Sequence, residues 1–359
     1  MPGKRRAIVI HSPHSGRAPQ LEEALKLLQE ADIELVRVEP ITNLNELPSQ
    51  GSTWLAQGID LAIAAGGDGL VGGMIRHVIK EGPPLAILPL GTANDTARSL
   101  AIPQDLPGAV EVIVGGQEAA IDVGMALPAE ASSPASGPGD EEAASDYFCH
   151  TLTIGLNVEF ARLATSSEMR ERFGAMTYPL AALEALRAHE PLEVVLDFEE
   201  PSGSLAAQQQ CQGQAQAVAE LRYQVLQVAV INAPVFGGPL QLSIPGASVT
   251  DHLLDIVVVQ GLDWKEIASA IGQLFAGGES EQSEAGEGAT GHPAELTALP
   301  GLHHWRASGV TISTPAGPCE ATLDGEVKGK TPITVRIAPE RLRVLVPTTW
   351  QAQTAETGT

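Results

Sequence analysis

Asp68 lies inside a run of glycines, Gly66-Gly67-Asp68-Gly69, and a second glycine turn, Gly91-Thr92-Ala93-Asn94-Asp95, follows one apolar run later. Each turn is fed by a strand-like segment, starting at Ile59 for the first and at Leu85 for the second. The first runs on into a helical pattern marked by Met74, Ile75, Val78 and Ile79. A strand, a glycine turn and a helix start leave backbone N–H groups facing outward at the positive helix end, which is what a phosphate needs. A carboxylate placed there would repel bound phosphates unless a cation intervened. Asp68 therefore points to Mg²⁺ and phosphoryl transfer. The plainer alternative is a tight turn in which Asp68 caps the next helix. Neither turn has the Gly-x-x-x-x-Gly-Lys-Ser/Thr pattern, and no Gly-x-Gly-x-x-Gly follows the first strand, so the two commonest phosphate signatures are excluded.

Two further groups of carboxylates stand in the second half. Asp251 and Asp255 flank an extended or turn-like segment, and Asp251 with nearby carbonyls could line an oxygen site for a hard cation. Equally, Asp251 could open a turn and Asp255 be a solvated strand residue. Asp324-Gly325-Glu326 sets two carboxylates around a glycine at a strand end, where Asp-Gly is also a strong hairpin signal.

The elements that must position these groups change character along the chain. Up to about residue 122, strands (Ala7–Ile10, Ile33–Val38) alternate with helices (Pro19–Glu30), which implies parallel pairing with right-handed crossovers. Beyond it, Phe148–Ile154, Leu192–Phe198, Tyr223–Asn232, Leu253–Val259, Val310–Thr314, Ala321–Leu323 and Ile333–Ile337 read as strands joined by turns. Helices are expected near 157–189 and 263–275. The fold class is therefore α/β, with an N-terminal parallel-sheet nucleotide-binding domain (1–122) and a C-terminal antiparallel β domain (123–337).

Composition sets the outer limits. The 359 residues suit two domains, and the net charge is −23. Three acidic stretches, within 129–150, 199–221 and 276–301, have no Lys or Arg and are rich in Ala, Ser, Gly, Gln and Pro. They read as mobile insertions near 129–146, 200–220 and 277–300. Cys149, Cys211 and Cys319 have no metal-site spacing and suit a reducing cytoplasm. No signal-peptide core or membrane span is expected.

Taken together, Gly66–Gly69, the segment Leu88 to Pro103, Ile121-Asp122-Val123-Gly124, the loop Asn232 to Pro245, and Leu323–Glu326 followed by Leu342–Pro347 resemble the diacylglycerol kinase catalytic-domain family, in that family's order. The family includes soluble bacterial lipid kinases and the sphingosine and ceramide kinases. The resemblance implies ATP and Mg²⁺ between an α/β domain and a β-sandwich, with a C-terminal segment near 338–350 packing back on the first domain. It implies that Ser15, Gly16, Gly66, Gly67, Asp68, Gly69, Thr92 and Asn94 line the nucleotide. It further implies that Asp324 is the general base, close to Glu326, with Asp68 in the catalytic set. Asp251 with the carbonyls of Ser248 and Leu253 matches a Mg²⁺ position. The expected substrate is a lipid hydroxyl, met by transient contact of a cytoplasmic protein with a membrane surface. No nucleic-acid partner is expected, and a homodimer is one assembly state left open.

The chain departs from the family at named positions. Ser12 replaces an asparagine, Leu70 a threonine, Gly73 a glutamate, and His252 a glycine. Gly73 is expected to remove a carboxylate near the phosphates and to weaken a helix start. A non-catalytic nucleotide- or lipid-binding protein on the same fold, or a NAD kinase, is the alternative. The basic candidates for membrane contact are Arg162, Arg170 and Arg172.

Overall fold

The computed structural model describes residues 4–46, 51–129, 145–156, 158, 191–201, 220–236, 242–244, 246–260 and 301–352. The three proposed insertions lie largely outside these, as do the helices expected near 157–189 and 263–275 and Arg162, Arg170 and Arg172. In chain order the first half comprises β1 (Arg5–His11), α1 (Leu21–Glu30), β2 (Ile33–Pro40), α2 (Gly51–Ala56), β3 (Leu61–Gly66), α3 (Asp68–Val78), β4 (Leu85–Pro89), α4 (Asp95–Ser99), α5 (Leu106–Gly115) and β5 (Gln117–Ile121). Then come β6 (Gly124–Pro128), β7 (Asp146–Phe148), β8 (Thr151–Gly155), β9 (Leu192–Pro201), β10 (Leu221–Ile231), β11 (Val235–Phe236), β12 (Leu242–Ser243) and β13 (Leu254–Gln260). The last are β14 (Leu302–Ser313), β15 (Glu320–Leu323), β16 (Glu326–Lys330), β17 (Ile333–Ile337) and β18 (Leu342–Val346).

The first sheet runs β2-β1-β3-β4-β18-β5 and is parallel except for the edge pair β18/β5. Its central strands β3 and β4 are buried at every position. That is why their sequences read as continuous apolar runs rather than alternating ones. Helix α3 presents Leu70, Val71, Met74, Ile75 and Val78 to the interior at helical spacing. Met74 and Ile75 are fully buried, each stabilising the fold by about 1.5–3 kcal/mol relative to exposure. Asp105 caps α5 by accepting from the Gly108 N–H at 2.8 Å. Strand β18, from the C-terminal end of the described chain, lies between β4 and β5.

The second sheet is antiparallel throughout. Its order is β16-β15-β8-β10-β13-β14-β17-β6-β7, and β9 pairs with both β10 and β14. The long strands thus curl around a core that includes Phe148, Phe198, Trp305, Val228, Ile256 and Val310, making the sandwich that inward/outward alternation requires. The segment expected as one strand, Phe148–Ile154, is two strands, β7 and β8, broken at Cys149-His150. Strand β14 extends well ahead of the expected Val310 start.

The chain passes between the sheets at Asp122-Val123 and again near Ala338. There the Asp122 N–H donates to the Val249 carbonyl at 2.7 Å, and the Ala338 N–H to that of Val123 at 2.9 Å. Among the described residues no helix is long and apolar enough to cross a membrane.

Candidate functional site

Three loops at the C-terminal ends of β1, β3 and β4 come together. The Leu90 and Gly91 N–H groups both donate to the Gly66 carbonyl, at 3.0 and 3.2 Å. The two glycine turns lie back to back: a Cβ on Gly91 would sit 2.4 Å from the Gly67 Cα. No other residue permits that approach. From the first loop, Ser12 N–H donates to the Ala65 carbonyl and Arg17 N–H to that of Leu90, and a Cβ on Gly16 would touch the Thr92 Oγ1 at 2.7 Å. The Ser15 hydroxyl is buried here with no hydrogen-bond partner. Thr92 is exposed, and Gly67, Asp68 and Gly69 are half-buried at the start of α3.

Asp68 opens α3, whose cap is the extended Gly67. Its carboxylate reaches across to the second turn, accepting from the N–H groups of Asp95 (3.1 Å) and Thr96 (2.8 Å). Asp68 is therefore a helix cap, but of α4 and not of its own helix. Helix α4 needs it, because its own N-cap residue, Asn94, makes no side-chain cap bond. Asn94 is left-handed (φ 53°). Its amide accepts from Gly91 N–H at 2.8 Å and donates to the Pro89 and Gly91 carbonyls and to Gln104. The Asn94 side chain is thus engaged in holding the turn's shape.

The second domain brings Asp324 to this junction. Asp324 (φ 47°) and Gly325 (φ 84°) form a tight left-handed turn between β15 and β16, so the hairpin reading of Asp-Gly is correct. The turn aims the carboxylate inward, where it accepts from three successive backbone N–H groups: Cys149 and His150 at 2.9 Å and Thr151 at 3.0 Å. Those donors explain the break between β7 and β8, because N–H groups given to Asp324 cannot serve a ladder. Burial pushes the Asp324 carboxyl up to about 6, the nearby His150 and the N–H donors pull it down, and the Asp68 charge adds to the rise. The same burial, with Asp324 and Asp68, pushes the Cys149 thiol far up, which makes it unreactive.

Helix α3 receives this hairpin on a glycine face. A Cβ on Gly72 would lie 2.5 Å from the Asp324 Oδ2, and one on Gly69 would lie 2.7 Å from the Glu326 Oε1. Glu326 is exposed and pairs with Lys328 at 2.8 Å. Gly73 points elsewhere: its Cβ would meet only Ile41 and Leu44, at 3.9 and 4.0 Å. The sequence alone did not single out His150 or Asp95. Both are buried, their side chains 3.7 Å apart beside the Asp324 nest. Asn232 ties this nest to the chain crossing, donating from its amide to the carbonyls of Asp122 (2.8 Å) and Cys149 (2.9 Å).

Asp251 is not part of this group of contacts. One of its carboxylate oxygens contacts the Arg306 guanidinium, and the other accepts from the Leu253 N–H at 3.1 Å. Burial raises the Asp251 carboxyl, opposed by Arg306 and that N–H. The Ser248 hydroxyl bonds Thr250. Among the described residues no cluster of three or more His, Cys, Asp or Glu side chains could hold a metal. With donors on both of its oxygens, one of them a guanidinium, the Asp251 carboxylate does not fit a resident Mg²⁺. His252 takes a left-handed conformation (φ 59°), the physical reason a glycine would be at ease there.

The first domain matches the family model "Diacylglycerol kinase catalytic domain" over residues 6–126. The second matches "YegS C-terminal NAD kinase beta sandwich-like domain" over residues 151–346. The chain belongs to the diacylglycerol kinase family, a family of phosphotransferases. A diacylglycerol kinase of Staphylococcus saprophyticus is 23% identical over 349 residues, covering 96% of each chain. A Synechocystis protein is 25% identical over 295 residues, and the match spans 81% of this chain but only 56% of that one. In fold it is similar to a diacylglycerol kinase structure from Bacillus anthracis, with a TM-score of 0.56 at 20% identity, covering 97% of this chain and 98% of that one.

Proposed function

We propose that the protein is an ATP-dependent lipid kinase that transfers the γ-phosphate to a lipid hydroxyl, with Asp324 as the general base. The observation that carries this reading is the Asp324 carboxylate. It is half-buried, raised to about 6, fixed by three N–H groups and set against the glycine face of α3, next to the turn that suits phosphates. The N–H groups at the start of α3, with Gly66, Gly67 and Gly69, receive phosphate oxygens; Ser15, Gly16 and Thr92 close the same rim. Ser15 supplies a buried hydroxyl with no other partner.

As the lipid hydroxyl attacks, its proton passes to Asp324. A carboxyl near 6 is mostly ionised at neutral pH and is a stronger base than an ordinary aspartate. Mg²⁺ carried in with the nucleotide would neutralise phosphate charge. Asp68 acts as a positioning residue, locking the second glycine turn to the first through the N–H groups of α4, and its charge raises the basicity of Asp324. Glu326 stands beside the Gly69 approach. Asn94 acts through the shape of the turn. A lipid substrate requires contact with a membrane surface.

The test is transfer of labelled phosphate from ATP to a panel of lipid alcohols that includes diacylglycerol, with NAD as the control acceptor. Asp324→Asn should lower kcat roughly 10²–10⁴-fold with ATP binding retained. Near-wild-type turnover by the folded variant would remove Asp324 from the chemistry. Transfer to NAD and to no lipid would replace the lipid reading altogether.

A further inference from the structure

The crossing between the domains carries a cluster of charges that the phosphotransfer reading does not use. Asp122, fully buried, pairs with the Arg341 Nε at 2.8 Å and accepts from the His252 N–H at 2.7 Å. Arg341 also donates to the Thr250 carbonyl at 3.0 Å. Across the same loop, Arg306 holds the Asp251 carboxylate and lies 3.5 Å from Asp255, whose oxygen meets His304 at 2.6 Å. The carboxylates come from the crossing (Asp122), the 248–253 loop (Asp251) and β13 (Asp255). The guanidinium groups come from β14 (Arg306) and from the return crossing (Arg341).

We infer that Arg306 and Arg341 stand in this chain in place of the divalent cation that the family resemblance assigns to Asp251, so that the domain junction is held together without metal. Removing one partner of a desolvated ion pair is strongly destabilising, so these carboxylates depend on the charges and donors that face them. Guanidinium groups remain charged at every physiological pH and present several donors in a fixed fork. Mg²⁺ would need near-octahedral oxygen ligands around itself. Asp251 instead offers oxygens already directed at a guanidinium and an N–H, and the Arg306 charge in contact with it would repel a dication. The same five side chains thus connect both chain crossings to the second sheet, whatever the metal supply.

The inference concerns nucleotide-free protein, so it can fail while the kinase reading stands, and the reverse. The experiment titrates Mn²⁺ into full-length, chelator-treated protein and follows free Mn²⁺ by electron paramagnetic resonance, for wild type and Asp251→Asn. The acidic surface binds Mn²⁺ diffusely, so the readout is the difference between the two. The expected result is superimposable titrations, with a wild-type melting temperature that millimolar Mg²⁺ does not move. Arg306→Met, in contrast, should melt lower than wild type and be raised by Mg²⁺ as the freed carboxylate accepts it. A saturable wild-type site that Asp251→Asn abolishes would overturn the inference, as would Mg²⁺-indifferent melting of Arg306→Met. If Arg306→Met does not fold, the comparison of wild type with Asp251→Asn decides alone.

Discussion

Gly72 and Gly73 are neighbours in one helix, yet an added methyl should act on them in opposite directions. In an exposed or roomy helix interior, Gly→Ala gains about 0.8–1 kcal/mol of helix propensity. Gly73→Ala should keep that gain, since its Cβ would make ordinary contacts with Ile41 and Leu44 at 3.9 and 4.0 Å. Gly72→Ala would place its Cβ 2.5 Å from an Asp324 oxygen, below the 3.0 Å that real Cβ atoms respect. That oxygen cannot swing aside freely, because the carboxylate is held by Cys149, His150 and Thr151. Either α3 shifts, costing about 1–3 kcal/mol in overpacking, or a buried N–H is orphaned at about 1–3 kcal/mol. Subtracting the propensity gain leaves Gly72→Ala neutral to about 2 kcal/mol less stable, against a gain of about 1 kcal/mol for Gly73→Ala. The assay is denaturant unfolding of both variants, paired with lipid phosphorylation. Gly72→Ala should lose turnover through displaced Asp324, and Gly73→Ala should keep it. Equal stability and activity of the two variants would refute the placement of Asp324 against α3.

Four other outcomes follow from the contacts of this site. The acid limb of kcat/KM should fall near pH 6, reporting Asp324, and a limb near the ordinary carboxylate value would contradict its burial. On stability, the raised carboxyl binds its proton more tightly folded than unfolded. Its contribution is therefore present at low pH and lost as pH rises from 3.8 to about 6, a loss of about 3 kcal/mol that Asp324→Asn should abolish in pH-dependent melting. Asp68→Asn keeps one acceptor oxygen for α4 and loses the other, which should cost about 0.5–1.5 kcal/mol, and should move the acid limb to lower pH, because a charge that raises Asp324 is gone; an unmoved limb in a folded variant would place Asp68 outside the electrostatics of the proposed base. Asn94→Ala should destabilise by about 2–4 kcal/mol, combining a left-handed backbone with a lost network, with Asn94→Gly milder in the same melt; equal losses would show that backbone strain contributes nothing.

The parts of the fold legible in the sequence are those whose signal is local. Strands β3 and β4 are legible as apolar runs because both faces are covered, and the two glycine turns because their backbones approach too closely for a side chain. What stayed hidden depends on contacts between distant segments. The break at Cys149-His150 exists to supply N–H donors to Asp324, some 175 residues away in sequence, and nothing in Phe148–Ile154 marks it. The start of β14 was missed because His303, His304, Trp305 and Arg306 do not alternate in polarity, although Trp305 packs inward on Phe198 and Tyr223. Arg306 and Arg341 are isolated arginines in sequence, with no motif around them. The Gly69/Gly72 pair did carry a signal: two small residues one helical turn apart usually mean that something packs closely on that face.

Asp68 and Asp324 show why a structural explanation of a motif does not weigh against a chemical one. Asp-Gly makes a left-handed hairpin turn with little strain, since aspartate tolerates that conformation better than most residues. The same backbone conformation points the side chain back over the preceding strands and into the three N–H groups that hold it. The turn is thus the device that takes a carboxylate out of water, and leaving water is what lifts it to about 6. Asp68 behaves alike: by capping α4 it fixes the distance between the two glycine turns, and its charge, set there for a structural purpose, raises the Asp324 carboxyl opposite. Gly73 illustrates the converse. Judged against the family pattern it removes a carboxylate, but its Cβ vector leads to Ile41 and Leu44 rather than to Asp324. The electrostatics of the Asp324 nest are built from Asp68, His150 and backbone donors, and the space over position 73 is apolar.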